Sequence, residues 1–179
     1  YLMESVIMLQ ENIAPEVIDQ AALDFGMPMG PIELADTVGL DICLSVAEVL
    51  HRQLGNDVPT LLKDKVEAGE YGRKSGKGFY EFVKGKPKKQ AVKEDIDKQI
   101  ANRLILSLVN ESFACLDEQV VDDSDLLDAA MIFGTGFAPF RGGPVQYAKS
   151  IGSQELQAVF DTLERKLGAR FTLNTHGKT

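Results

Sequence analysis

The sequence has no tryptophan, only two cysteines and two histidines, and no long apolar run. Each scarcity excludes something. A membrane helix needs about 20 consecutive apolar residues, and none occurs. No signal peptide is visible, so a cytoplasmic protein is expected. Two histidines, His51 and His176, and two cysteines at no zinc-like spacing leave no metal set. Cys43 and Cys115 sit within amphipathic helical patterns and read as reduced thiols rather than a disulfide. Basic residues are also too few for general nucleic-acid binding: 19 Lys and Arg face 27 Asp and Glu, a formal charge of −8. The basic charge that exists is concentrated between Lys63 and Lys93, at a balance of +6, leaving −14 elsewhere. That segment is a solvated linker or faces an anionic ligand such as a phosphate.

What is present is 44% hydrophobic residues in 179, enough for a sizeable core. The chain also carries an internal repeat. Shifted by 113 residues, Gly30-Pro31 meets Gly143-Pro144, and nine of the 26 positions from Gly30 to Gly55 are identical. Chance gives about one or two. Upstream of the loops the identities run at 108 and 107, which implies five extra residues in the second loop. The period is far too long for a solenoid. It marks a duplicated module and a pseudo-twofold pair.

Each copy pivots on a Gly/Pro-rich loop, 26–36 in the first and 133–144 in the second. Proline after glycine starts a helix with its φ already set. Apolar spacing predicts helices with inward stripes of Leu2, Val6, Leu9 and Ile13; of Ile18, Ala21, Ala22 and Phe25; and of Ile42, Val46, Val49 and Leu50. The second copy repeats this from Ile96, with Ser124 or Asp123 capping one helix and Ser153 another. Asp41 is the expected cap after Gly39. The glycines of 72–78 forbid regular helix, and Phe79, Tyr80 and Phe82 are expected to anchor that loop. The tail from Ala169 is expected to fray. No alternating strand pattern recurs, so the fold reads as all-α, two helical bundles.

The chemistry-bearing motifs are negative. Gly72-Arg73-Lys74-Ser75-Gly76-Lys77-Gly78 has the wrong spacing for a phosphate-binding Walker loop. Neither Gly76-Lys77-Gly78 nor Gly134-Thr135-Gly136 continues into the third glycine of a dinucleotide fingerprint. The chain is therefore not expected to bind NAD by itself. His51 reads as a surface histidine. Glu4, Glu11, Glu33 and Asp36 are acid–base candidates or capping and interhelical hydrogen-bond acceptors. Met27 and Met29, beside prolines in a loop, are either ligand-facing or core filling.

Met27-Pro28-Met29-Gly30-Pro31-Ile32-Glu33-Leu34-Ala35-Asp36 resembles the signature of the C-terminal helical domain of 3-hydroxyacyl-CoA dehydrogenases. Gly72 to Tyr80 resembles the motif that closes the first copy of that domain, and Phe133 to Pro144 resembles the loop of the second. The resemblance covers nearly the whole chain. It implies two repeated bundles of the 6-phosphogluconate dehydrogenase C-terminal-like type: residues 1–82, a linker at 83–94, and residues 95–179. The tandem points to the multifunctional α subunits of fatty-acid β-oxidation.

It further implies an oxidoreductase part with no catalytic residue of its own. The NAD-binding Rossmann domain, the catalytic His–Glu pair, a substrate-binding asparagine and the enoyl-CoA hydratase domain are expected upstream of Tyr1. Acyl-CoA is the implied substrate, and a thiolase β subunit and a second copy of the chain are implied partners. Phe133 stands where related bacterial α subunits often have a substrate-contacting tyrosine; phenylalanine keeps the aromatic wall without the hydroxyl. Met27, Pro28 and Met29 match the loop near the family's acyl-CoA cleft. The other reading is a non-enzymatic helical assembly module.

Overall fold

The computed structural model describes residues 1–55, 57–93 and 95–174. His176 lies outside them. The chain divides into two compact units, one of Tyr1–Asp24 with Met29–Ala101, the other of Phe25–Pro28 with the chain from Asn102. The all-α expectation holds. In order, the helices are α1 (Leu2–Gln10), α2 (Pro15–Phe25), α3 (Pro31–Val38), α4 (Leu40–Leu54), α5 (Thr60–Glu67), α6 (Lys98–Asp117), α7 (Ser124–Thr135), α8 (Pro144–Ile151) and α9 (Ser153–Leu167). The strands among the described residues are β1 (Phe82–Val83) and β2 (Lys86–Pro87), which form an antiparallel hairpin.

The core of the first unit gathers Val6, Ala35, Leu40, Cys43, Ala47 and Leu62, with Phe79 packed against it. The α2 stripe of Ile18, Ala21, Ala22 and Phe25 is buried as expected. The α4 stripe is not. Ile42, Val46, Val49 and Leu50 are 38–53% exposed, and the buried face of α4 is Leu40, Cys43 and Ala47. Small side chains at 43 and 47 allow close packing, and that outweighs the greater apolar area of the opposite face.

Two capping assignments change, and one is decided between its two candidates. Asp41 lies inside α4 and binds Lys74 at 2.5 Å, and Gly39 stands at the cap. Gly152, not Ser153, precedes α9 without a side-chain cap. Asp123 rather than Ser124 caps α7, accepting from the Asp125 and Leu126 N–H groups.

Within the expected linker, residues 83–90 are held in place. Besides the hairpin, Lys89 reaches Asp19 at 2.9 Å and Glu33 at 2.7 Å, and the Gln90 N–H donates to Glu16. The lysine run therefore contains its own anchor. In the second unit Phe137, Phe160 and Phe171 are almost wholly buried. Phe171 and Leu173 belong to this core, and Asn174 bonds with Asn110, so the chain from Ala169 to Asn174 is packed rather than frayed.

Candidate functional site

The Gly-Pro loops are built alike in the two copies. A helix that starts after proline leaves N–H groups at its N-terminus without intrahelical acceptors. Asp19, from the middle of α2, accepts from Ile32 and Glu33 at the start of α3, at 2.8 and 3.2 Å. Asp128, from α7, accepts from Val145 and Gln146 at the start of α8, at 2.7 and 2.9 Å. A carboxylate there also opposes the positive end of the helix dipole. Gly30 and Gly143 precede the two prolines because a Cβ at either would collide with the carboxylate opposite.

Asp19 and Asp128 are separated by 109 positions, as are the helix starts Pro15 and Ser124. With the downstream offset of 113, the second loop carries four extra residues, not five. Ala21-Ala22 and Ala129-Ala130 match by identity one residue out of the register that the two carboxylates set.

Asp36 carries a further buried carboxylate of the first unit. It is fully buried and accepts from the Phe79 and Tyr80 N–H groups at 2.9 and 2.8 Å. Of its two readings, the structural one fits: it ties the 72–80 loop to α3. Glu33 likewise receives Lys89. Burial drives the Asp36 pKa up to about 6, against the lowering effect of the two N–H groups and Lys65. Burial also raises the Asp128 carboxyl and the Cys43 thiol, which makes that thiol a poor nucleophile. For Lys89, burial opposes the charge, but the bonds to Glu33 and Asp19 outweigh it and raise the ammonium.

The Asp36 shift predicts a pH dependence. Its folded pKa lies above the ordinary 3.8, so the native state holds this proton more tightly. The corresponding stability is fully present below pH ~4 and lost as pH rises through ~6, on the order of 3 kcal/mol. The Phe79 and Tyr80 amide resonances should titrate with a midpoint near 6. Parallel stability–pH curves for the wild type and Asp36→Asn would rule this out.

The predicted site residues differ in burial and setting. Phe133 is 89% exposed at the C-terminal end of α7. With Asp125, Asp128, Ala129, Ile132, Gly142 and Gln146 it lines a cleft of about 280 Å³ in the second unit. Met27 is buried in core-filling fashion, Pro28 is exposed and packs beside Gly136, and Met29 is half-buried in the first unit. The loop around them is pinned by Arg141. Its Nε donates to the Phe25 carbonyl at 2.9 Å, and its guanidinium lies 4.0 Å from the Phe25 ring centre. Phe25 in turn meets Phe137 and Tyr147 edge to face. Neither Arg141 nor this aromatic group was singled out from the sequence; Phe25, Phe137 and Tyr147 are too far apart in the chain for any periodicity to join them. His51 lines an open polar cleft of about 410 Å³ with Glu48, Arg52, Asp57, Val58 and Lys63. Among the described residues no cluster of three or more His, Cys, Asp or Glu is arranged to hold a metal, and no helix is long and apolar enough to cross a membrane.

These features define a duplicated all-α module whose carboxylates serve loop architecture. Comparison with known proteins gives the family. Residues 1–82 match the family model for the 3-hydroxyacyl-CoA dehydrogenase C-terminal domain. The chain is 34% identical over 189 residues to the fatty acid oxidation complex subunit alpha of Shewanella sp. strain MR-4, and 32% over 186 to that of Shewanella baltica. Each alignment covers 96% of this chain but only 27% and 26% of those proteins, so the chain spans about a quarter of the relatives it matches. Among solved structures, Escherichia coli 3-hydroxybutyryl-CoA dehydrogenase gives a TM-score of 0.80 at 20% identity, covering 99% of this chain and 57% of that one. The dehydrogenase part of multifunctional enzyme 1 from C. elegans gives 0.67 at 24%, covering 99% and 46%. At those identities the structural likeness speaks for the fold alone. Residues 1–82 belong to the 3-hydroxyacyl-CoA dehydrogenase C-terminal domain family, and the chain along 96% of its length is similar to the fatty acid oxidation complex α subunits.

Proposed function

We propose that the chain is the substrate-side, C-terminal part of an NAD-dependent dehydrogenase of fatty-acid β-oxidation, which oxidises 3-hydroxyacyl-CoA to 3-ketoacyl-CoA. The observation that carries this reading is the match to the α subunits along 96% of the chain. The described residues do not fit NAD. They include no glycine fingerprint between strand and helix, and the only strands among them form a hairpin of two residues each. Hydride and proton transfer are therefore assigned to the rest of the parent enzyme, and no catalytic role is assigned here. What this chain supplies is a wall for the acyl-CoA and a rigid support. Phe133 is the exposed aromatic of that wall. Met27, Pro28 and Met29, in the loop before α3, are assigned to substrate contact by the resemblance of that loop.

The reading carries the partners that such an enzyme needs: Rossmann and hydratase domains within the parent, a thiolase β subunit, and a second copy of the chain. The exposed α4 stripe is the surface offered to them, because apolar side chains in a continuous row mark interaction sites. We place the protein in the cytoplasm. A purely scaffolding module is the second reading, favoured by that same stripe.

Acetoacetyl-CoA and NADH distinguish the two. Activity should be absent from the 179-residue chain and present once a full Rossmann domain is joined upstream. In that longer enzyme Phe133→Ala should raise KM about tenfold through lost apolar contact. Activity in neither protein would favour the scaffold, and activity in the short chain would overturn the assignment of chemistry elsewhere.

A further inference from the structure

Asp19 and Asp128 hold the same place in the two copies, but they are not equally satisfied. A carboxylate offers about four acceptor sites. Asp19 uses four: the N–H groups of Ile32 and Glu33, the Tyr80 hydroxyl at 2.9 Å and the Lys89 ammonium at 2.9 Å. Asp128 receives the two equivalent N–H groups, from Val145 and Gln146, and no other hydrogen bond from the described residues. It is nevertheless buried, at 6% exposed. The charge of Lys149 acts on it without a hydrogen bond between them. In the first copy, the phenol and ammonium come from one segment, residues 79–90. In the second copy, Asp128 instead lines the cleft of about 280 Å³, together with Asp125, Ile132, Phe133 and Gln146.

We infer that this cleft docks a segment of another protein chain, one that brings a lysine to Asp128 with an aromatic side chain beside it. The duplicated module supplies the precedent, since its first copy already holds such a segment on the equivalent carboxylate. Charge supplies the selectivity: Asp125 and Asp128 disfavour anionic groups and attract an ammonium. Exposed Phe133 and neighbouring Ile132 provide the apolar surface on which an aromatic ring packs. The chain's own 79–90 segment is not the occupant, because Asp19, Glu33 and Glu16 already hold it. This inference does not rest on the acyl-CoA reading of Phe133 but competes with it for that side chain, and the acetoacetyl-CoA arm of the test separates the two.

The test is a titration of the isotope-labelled 179-residue chain with a blocked peptide of residues 79–90, following the Val145 and Gln146 amides by NMR. Saturable shifts at those amides are expected. A peptide with Lys89→Gln should bind about tenfold more weakly, and one with Tyr80→Phe a few-fold more weakly. The Asp128→Asn chain should lose the response. Because Asp128 also caps α8, that variant is paired with the surface change Asp125→Asn, expected to weaken binding about two- to threefold. The peptide variants leave the protein untouched and test the inference by themselves. Equal binding of a scrambled peptide, or of the Lys89→Gln peptide, would reduce the effect to general attraction by an acidic chain and overturn the proposal. So would the absence of saturable shifts at roughly 5 mM peptide, an affinity too weak for docking. Shifts with acetoacetyl-CoA but none with the peptide would give the cleft to substrate and overturn it equally.

Discussion

Asp19→Ala is expected to destabilise the first unit by on the order of 3–5 kcal/mol, whereas Asp128→Ala should cost the second about 1–2. Both substitutions remove a cap from a helix that begins with proline. That shared loss covers the two N–H groups of Ile32 and Glu33 in one copy and of Val145 and Gln146 in the other. The excess at Asp19 comes from the groups left behind. Tyr80 is 3% exposed and would lose the acceptor of its hydroxyl. Lys89 would lose one of its two carboxylates, keeping only Glu33. A buried donor without an acceptor costs about 1–3 kcal/mol, and a charged one more. The hairpin segment would also loosen, since Lys89 is one of its anchors. Denaturant unfolding, with amide exchange at Ile32 and Val145 to report each unit separately, would measure the pair. Equal losses at the two aspartates would mean that Tyr80 and Lys89 add nothing to the cap.

Much of this architecture was legible from local rules. The duplication showed because Gly30-Pro31 and Gly143-Pro144 are constrained positions whose spacing survives divergence. The α2 stripe was legible because its large apolar residues are also the buried ones. The α4 stripe was misread for the complementary reason. Periodicity ranks faces by apolar area, and there the protein buries Cys43 and Ala47, which gain from close approach rather than size. The lysine-rich stretch looked like a linker because composition cannot reveal that Lys89 has two carboxylates waiting 56 and 70 positions away. Asp19 and Asp128 escaped notice because an aspartate in mid-helix is ordinary; only the distant N–H groups it meets give it a role. At the candidate site, Phe133 was flagged by resemblance alone. No sequence rule would foresee its 89% exposure or the cleft beside it.

The loop of residues 72–80 gives the second large effect. Gly72→Ala is expected to unfold the first unit, at a cost of at least about 4 kcal/mol, whereas Gly76→Ala should cost only about 1–2. The two positions lie in one loop and share a positive φ, +93° at Gly72 and +81° at Gly76, so each alanine carries backbone strain. They differ in surroundings. A Cβ at Gly76 meets nothing within 4 Å. At Gly72 it would run into the backbone of Asp36, including the Cα at 2.7 Å and the carbonyl carbon at 2.8 Å. Backbone atoms in α3 cannot swing aside as a flexible side chain does, so relief requires the loop to lift from the helix. Lifting it would strip the Asp36 carboxylate of the Phe79 and Tyr80 N–H groups and draw Tyr80 from Asp19. The collision therefore spreads into both carboxylate networks and cannot stay local. Far-UV circular dichroism and tyrosine fluorescence through a denaturant titration would separate the variants. Equal midpoints for Gly72→Ala and Gly76→Ala would show that close approach to Asp36 does not hold the loop, and that the strain of positive φ alone governs both.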